Sequence, residues 1–166
     1  MTVANDHIAH HRHVADYYKD AFAEIPGIIF HEELPYMASN FWLSTILLDE
    51  NLHIKDEDQA YKEPILGAIG GVGGTVHTSD SIHTDCEPNC NVEALRLALL
   101  REGIESRPLW KPMHKQPVYK DAPAYTNGIS ESLFKRGLCL PSGPLVTDED
   151  LQRIVNTIKE NINYSR

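Results

Sequence analysis

Gly103–Tyr119 reads GIESRPLWKPMHKQPVY, and Gly137–Gly143 reads GLCLPSG. In the first stretch a glycine stops a helix and Ile104–Arg107 continues as a short strand. Pro108, Pro112 and Pro117 then keep the chain extended and stiff, because each ring fixes its own φ and restricts the residue before it. In the second stretch Leu138–Leu140 is a brief strand ahead of the Pro141-Ser142-Gly143-Pro144 turn. Between them Ser130–Arg136 reads as a short helix ended by Gly137. An arginine, a tryptophan and a histidine on so rigid a path suit a surface that binds sugar rings and phosphates.

The flanking segments supply the rest of a core. Asn91–Glu102 is a helix with Asn91 as N-cap, Val92, Leu95 and Leu99 inward, and Gly103 at the C′ position. Thr147–Ile162 is the last helix. Thr147 and Asp150 form a capping box, and Leu151, Ile154, Val155, Ile158 and Ile162 form its apolar stripe. A first helix runs from Asp6 to Glu24, capped by Asn5 or Asp6 and stopped by Pro26-Gly27. Its stripe is Ile8, Ala15, Tyr18, Phe22 and Ile25, and its other face, with His7, His10, His11, Arg12, His13 and Lys19, is solvated. Gly27–His31 and Phe41–Leu48 are strands, the second so continuously apolar that burial on both faces is expected. Residues 51–89 read as irregular, with a short helix near Glu57–Ile69 and a glycine-rich surface loop at 67–74. That loop lacks the strand, helix and Lys-Ser/Thr of a phosphate cradle. The sum is an α/β domain of the α+β type, a small mixed or antiparallel sheet flanked by helices.

A chain of 166 residues is one domain. Lys and Arg total 15 against 24 Asp and Glu, a net charge of −9. So acidic a chain lacks the basic stripe needed for nucleic acid or an anionic membrane. No run reaches the roughly 18 apolar residues of a membrane helix, and the N-terminus has no signal-peptide core. Three cysteines, an odd number, fit a reducing compartment, so a cytoplasmic location is expected. His77, His83, Cys86 and Cys90 are zinc-ligand types. Their His-x5-His-x2-Cys-x3-Cys spacing matches no standard zinc module, so the segment reads as a polar loop with incidental thiols. No metal site is expected there or at His7/His11. Cys139 reads as a small apolar strand residue.

Six segments, taken together, carry a resemblance: Arg12–Tyr18, Phe41-Trp42-Leu43, Gly103–His114, Gln116–Tyr119, Gly137–Gly143 and Thr147–Leu151. In this order and spacing the chain resembles the C-terminal region of the DegT/DnrJ/EryC1/StrS family. These are pyridoxal-phosphate-dependent sugar aminotransferases of fold type I. The SRPLWKPMH and LCLPSG segments are most similar to members acting on UDP-linked 4-keto-6-deoxy sugars in surface-polysaccharide pathways. The resemblance covers all but about residues 51–89. It implies the small C-terminal domain of such an enzyme, with residues 1–26 as an interdomain-type helix and 51–89 as an irregular insertion.

Family members are more than twice this length, and their large N-terminal domain carries the cofactor and the lysine that holds it. None of the lysines here sits in that context, so the large domain is expected to be absent and no catalytic residue is assigned. The resemblance implies glutamate as amino donor to the cofactor and a keto nucleotide-sugar as acceptor. It places Arg107, Trp110, Lys111, His114 and Tyr119 at the nucleotide-sugar wall. Arg107 and Lys111 would meet diphosphate, Trp110 would stack on a ring, and His114 would hydrogen-bond a hydroxyl or phosphate. Read without the resemblance, Arg107 pairs with Glu102 or Glu105, and Trp110 only covers the core. The chain alone is expected to hold no pyridoxal phosphate and to be inactive without a separate cofactor-domain chain. A homo-oligomer is expected, with the first helix as its contact. The alternative reading is a non-catalytic module binding a ligand, a metal or a partner.

Overall fold

A computed structural model of the chain describes residues 2–61 and 86–164. Four α-helices and four strands lie among these residues, in the order α1 (Thr2–Phe22), β1 (Ile28–Phe30), β2 (Ser44–Leu48), α2 (Cys90–Arg101), β3 (Arg107–Pro108), α3 (Ile129–Arg136), β4 (Gly137–Leu140) and α4 (Asp148–Asn161). The sheet is antiparallel throughout, with spatial order β1-β2-β4-β3. The glycine-rich 67–74 segment, the C-terminal part of the expected 57–69 helix, His77 and His83 lie outside the described residues. Of that helix, a single 3-10 turn is described at Glu57–Gln59.

Ile46 pairs with Leu138, and Ser44 with Leu140. Side chains directly opposite share a face, so these residues point together into the core. There they meet Val14, Tyr18 and Phe22 of α1, Leu95 and Leu99 of α2, and Leu151, Ile154 and Ile158 of α4. Leu52, Ile54 and Ala60 join the same core, and Ile54 bridges to Ile162. Cys139 and Arg107, paired across β4 and β3, face the other way.

The caps follow local chemistry. Gly103 takes φ 70°; its N–H donates to Leu100 O and the Ile104 N–H to Leu99 O, a Schellman closure. Ile104 and Leu99, the two ends of that closure, are both buried. The Thr147–Asp150 capping box forms in both directions. Tyr18 is fully buried, and its hydroxyl donates to Pro141 O at 2.8 Å, fastening α1 to the end of β4.

Several expectations are corrected. α1 begins at Thr2, ahead of the expected Asn5/Asp6 cap, and Ile8 is 39% exposed because the first half of α1 extends past the core. Strand β2 begins at Ser44 and alternates between buried and half-buried residues. The helices cover one of its faces and the other is only partly covered, so burial on both faces does not arise. Phe41 sits at φ 47°, outside the strand, and Trp42 is 67% exposed. Asn89, not Asn91, precedes α2. Asn91 is buried, and its Nδ2 donates to Asp49 O and Leu52 O, both at 2.9 Å. The strand expected at Ile104–Arg107 is ladder-paired only at Arg107–Pro108.

A Cβ on Gly137 would lie 2.2 Å from Leu109 Cδ1 and 2.7 Å from Leu133 O. Gly137→Ala is therefore expected to cost about 1–3 kcal/mol through overpacking. Gly143→Ala, with nothing within 4 Å of the added carbon, should be near neutral. Urea denaturation of both variants checks this, and equal midpoints would contradict it.

Candidate functional site

The proline-bearing segment is less extended than its three prolines implied: Pro112 keeps an extended φ −54° and ψ 140°, but a 3-10 turn follows it and Pro117 opens a second one. Beyond β3, Leu109 N–H still bonds Gly137 O, and the chain then leaves the sheet through two 3-10 turns at Met113–Lys115 and Pro117–Tyr119. Arg107 to Lys120 contains four cationic side chains, Arg107, Lys111, Lys115 and Lys120, and no carboxylate. It is a locally cationic segment on an acidic chain.

Lys111 and His114 come together with residues from two other segments. Lys111 Nζ lies 2.9 Å from Glu87 Oε1, 24 residues away, and 5.8 Å from the ring centroid of Phe134. His114 Nε2 donates to Glu131 Oε1 on α3 at 2.8 Å, and Lys115 Nζ stands 3.7 Å from the other Glu131 oxygen. The His114 hydrogen bond, aided by Lys115, holds the Glu131 carboxyl below the usual glutamate value. The Cys86 thiol, buried close to these charges, is pushed up by desolvation.

The other candidates stand apart from that cluster. Arg107 turns back along its own strand and donates to Glu105 from Nε at 2.9 Å and from an Nη at 2.5 Å, on the sheet face that also carries Cys139. Of the two carboxylates open to Arg107, Glu105 is the partner. The Glu102 carbonyl instead accepts from Arg153. Trp110 is 69% exposed, so it does not cover the core, and Tyr119 is 40% exposed. Glu87, Glu131 and Phe134 were not singled out from sequence. No spacing signals them, because each reaches the segment only through the tertiary fold.

Among the described residues no group of three or more His, Cys, Asp or Glu is placed to hold a metal. Cys86 is buried and Cys90 exposed. Holding a carbonyl cofactor needs an amine that can lose its proton in a sheltered site, and Lys19, Lys111 and Lys115 do not fit that task. Lys19 is fixed by Glu32 at 2.8 Å and its pKa is raised by that hydrogen bond, while Lys111 and Lys115 face Glu87 and Glu131. Among the described residues no helix is long and apolar enough to cross a membrane.

The model of the DegT/DnrJ/EryC1/StrS aminotransferase family matches residues 75–159, just over half of the chain. EpsN of Bacillus subtilis (strain 168), a candidate pyridoxal phosphate-dependent aminotransferase, is 29% identical over 162 residues, covering 95% of this chain and 32% of its own length. The GDP-perosamine synthase of Vibrio cholerae is 26% identical over 153 residues, covering 92% and 32%. The chain thus spans about a third of the length of the curated relatives it matches. Among solved structures, a DegT DnrJ EryC1 StrS aminotransferase from Brucella abortus aligns with TM-score 0.59 at 21% identity, over 92% of this chain and 30% of its own. Helicobacter pylori PseC, an aminotransferase of pseudoaminic acid biosynthesis, aligns with TM-score 0.60 at 14% identity, over 92% and 32%. At such identities the structural likeness establishes the fold alone.

The depressed pKa of Glu131 has a consequence for acid stability. A carboxyl whose folded pKa lies below its unfolded value stabilises the fold above the unfolded value and loses that contribution as pH falls through the folded one. Wild type should therefore be more stable than Glu131→Gln at neutral pH. The gap should narrow below about pH 5 and close in stronger acid. Parallel denaturation curves against pH read this, and a gap that widens on acidification would contradict it.

Proposed function

Because this chain belongs to the DegT/DnrJ/EryC1/StrS aminotransferase family, we propose that it is the small C-terminal portion of a cytoplasmic, pyridoxal-phosphate-dependent aminotransferase. Its substrate is a keto nucleotide-sugar used in surface-polysaccharide or amino-sugar synthesis. The cofactor supplies the amino-group transfer, and it is held by a separate cofactor-binding chain or domain. Alone the chain is inactive, and it self-associates. The observation that carries this reading is the family match across the segment that holds exposed Trp110 beside half-buried Lys111 and His114.

In this reading Arg107, Trp110, Lys111, His114 and Tyr119 form the nucleotide-sugar wall. The carboxylates now facing the cations do not argue against it. Arg107 and Glu105 are 54% and 71% exposed, and a pair so open to water is worth about 0–1 kcal/mol. A diphosphate, with more negative charge and acceptors in bidentate geometry, can displace Glu105 from the guanidinium and Glu87 from Lys111. Trp110, already exposed, needs no rearrangement to stack on a ring.

The test joins this chain to the remaining two-thirds of the Bacillus subtilis relative. Beyond one equivalent per active site, the joined protein should release 2-oxoglutarate from glutamate only when a 4-keto-6-deoxy nucleotide-sugar is supplied. Trp110→Ala should raise KM for that sugar about tenfold, the effect of roughly 1.4 kcal/mol of lost binding. The chain alone should turn over nothing and keep no pyridoxal phosphate after borohydride reduction. Turnover by the isolated chain would overturn the proposal.

A further inference from the structure

Glu131 is fixed as an acceptor. His114 and Lys115 hold its carboxyl below the usual glutamate range, so it is ionised at neutral pH. Its place in the first turn of α3 suits a negative charge as well. An ionised carboxylate has no proton to give. The 2.8 Å contact with His114 therefore puts a proton on Nε2. The other Glu131 oxygen faces Lys115 Nζ at 3.7 Å, so one carboxylate ties down two consecutive residues of the Met113–Lys115 turn. Gln116 Nε2 closes the same turn onto Lys111 O at 3.2 Å.

The second ring nitrogen of His114, Nδ1, has no hydrogen-bond partner among the described residues. Nor is it one of their buried, unpartnered side-chain atoms, so it opens to solvent on a half-buried ring. In a neutral imidazole one nitrogen donates and the other accepts. With Nε2 committed to donation, Nδ1 carries the lone pair. A phosphate oxygen brings that lone pair no proton, whereas a hydroxyl does. Arg107 and Lys111 are donors only, and they suit the diphosphate.

We propose that Glu131 is a positioning residue: by holding the Nε2 proton it makes His114 Nδ1 an acceptor for a substrate hydroxyl, on the sugar or the ribose, and not a phosphate contact. This inference rests on the reading of His114 as part of the nucleotide-sugar wall, and it divides that wall by chemistry. Arg107 and Lys111 meet charge, and His114 reads a hydroxyl. Glu131 touches no substrate and acts only through the ring it holds.

The first test needs no substrate. Nitrogen NMR of the isotope-labelled chain at about pH 8, above the ordinary histidine range, should show His114 as the Nε2–H tautomer with Nδ1 bare. In Glu131→Gln, whose amide can donate as well as accept, the two tautomers should mix. An Nδ1–H tautomer or a fully protonated ring in the wild type overturns the proposal. The second test uses the protein joined to the remainder of the Bacillus subtilis relative. Glu131→Ala and His114→Ala should each raise KM for the nucleotide-sugar about tenfold, the effect of one lost hydrogen bond, with kcat changing less. The double variant should be no worse than His114→Ala, because Glu131 acts through that ring. Additive effects, or a KM that Trp110→Ala raises and His114→Ala does not, overturn this inference and leave the proposed function standing. Absence of turnover by the joined wild type overturns the proposed function and, with it, the substrate hydroxyl. A nucleotide-sugar whose ribose lacks both hydroxyls separates the two sources. A rise in its KM that vanishes in His114→Ala assigns the ribose, and any other result assigns the sugar.

Discussion

Strand β4 is the constraint on which the rest of the fold depends. Its four residues, Gly137 to Leu140, are all buried, and it pairs on one side with β2 and on the other with β3. One face delivers Leu138 and Leu140 to the core beneath the helices. The other must admit Leu109 and the Leu133 carbonyl at a point where no side chain fits, and so Gly137 stands there. Move β4 and three things move with it: the register of β2, the launch point of the proline segment, and the Pro141 carbonyl that anchors Tyr18.

That last contact explains how a long helix is oriented by little more than its second half. Only from Val14 onward does α1 bury side chains. Ahead of that, His13 reaches Asp148 at 2.7 Å and His10 reaches Gly143 O at 3.2 Å, exposed contacts that guide rather than hold. Arg12 does more. It bonds both Glu33 oxygens, donates to Ser39 O and lies 5.7 Å from the centre of the Phe41 ring. Phe41 occupies the left-handed region, which costs a residue with a Cβ about 1–2 kcal/mol. Arg12, Ser39 Oγ and the Ser142 bond to Trp42 O together hold the loop in a shape that its own backbone resists.

At the candidate site the electrostatics are provisional in a physical sense. Lys111, His114 and Lys115 are drawn toward carboxylates from elsewhere in the chain, and Arg107 toward its near neighbour Glu105. These partners are exposed or half-buried, so they keep the cations ordered without committing them. In the proposed reading, a surface of this kind suits a multiply charged ligand better than a single carboxylate.

The local chemistry of the chain was legible without any structure. Gly103 and the Thr147–Asp150 pair place two helix ends, because a left-handed glycine and an i, i+3 cap involve only neighbouring residues. The strand ending at Leu48, the helix stripes and the family were readable for the same reason: each is a repeat or a short ordered motif. What the sequence could not specify depends on where the chain returns to itself. Asn91 looked like a cap and became a buried tie to Asp49 and Leu52, some 40 residues earlier. Glu131 was one more acid on a short helix until the fold set it against His114, 17 residues away. Ile8 and Trp42 looked like core and stand in water, because hydrophobicity records a preference for burial while only packing determines which faces find cover.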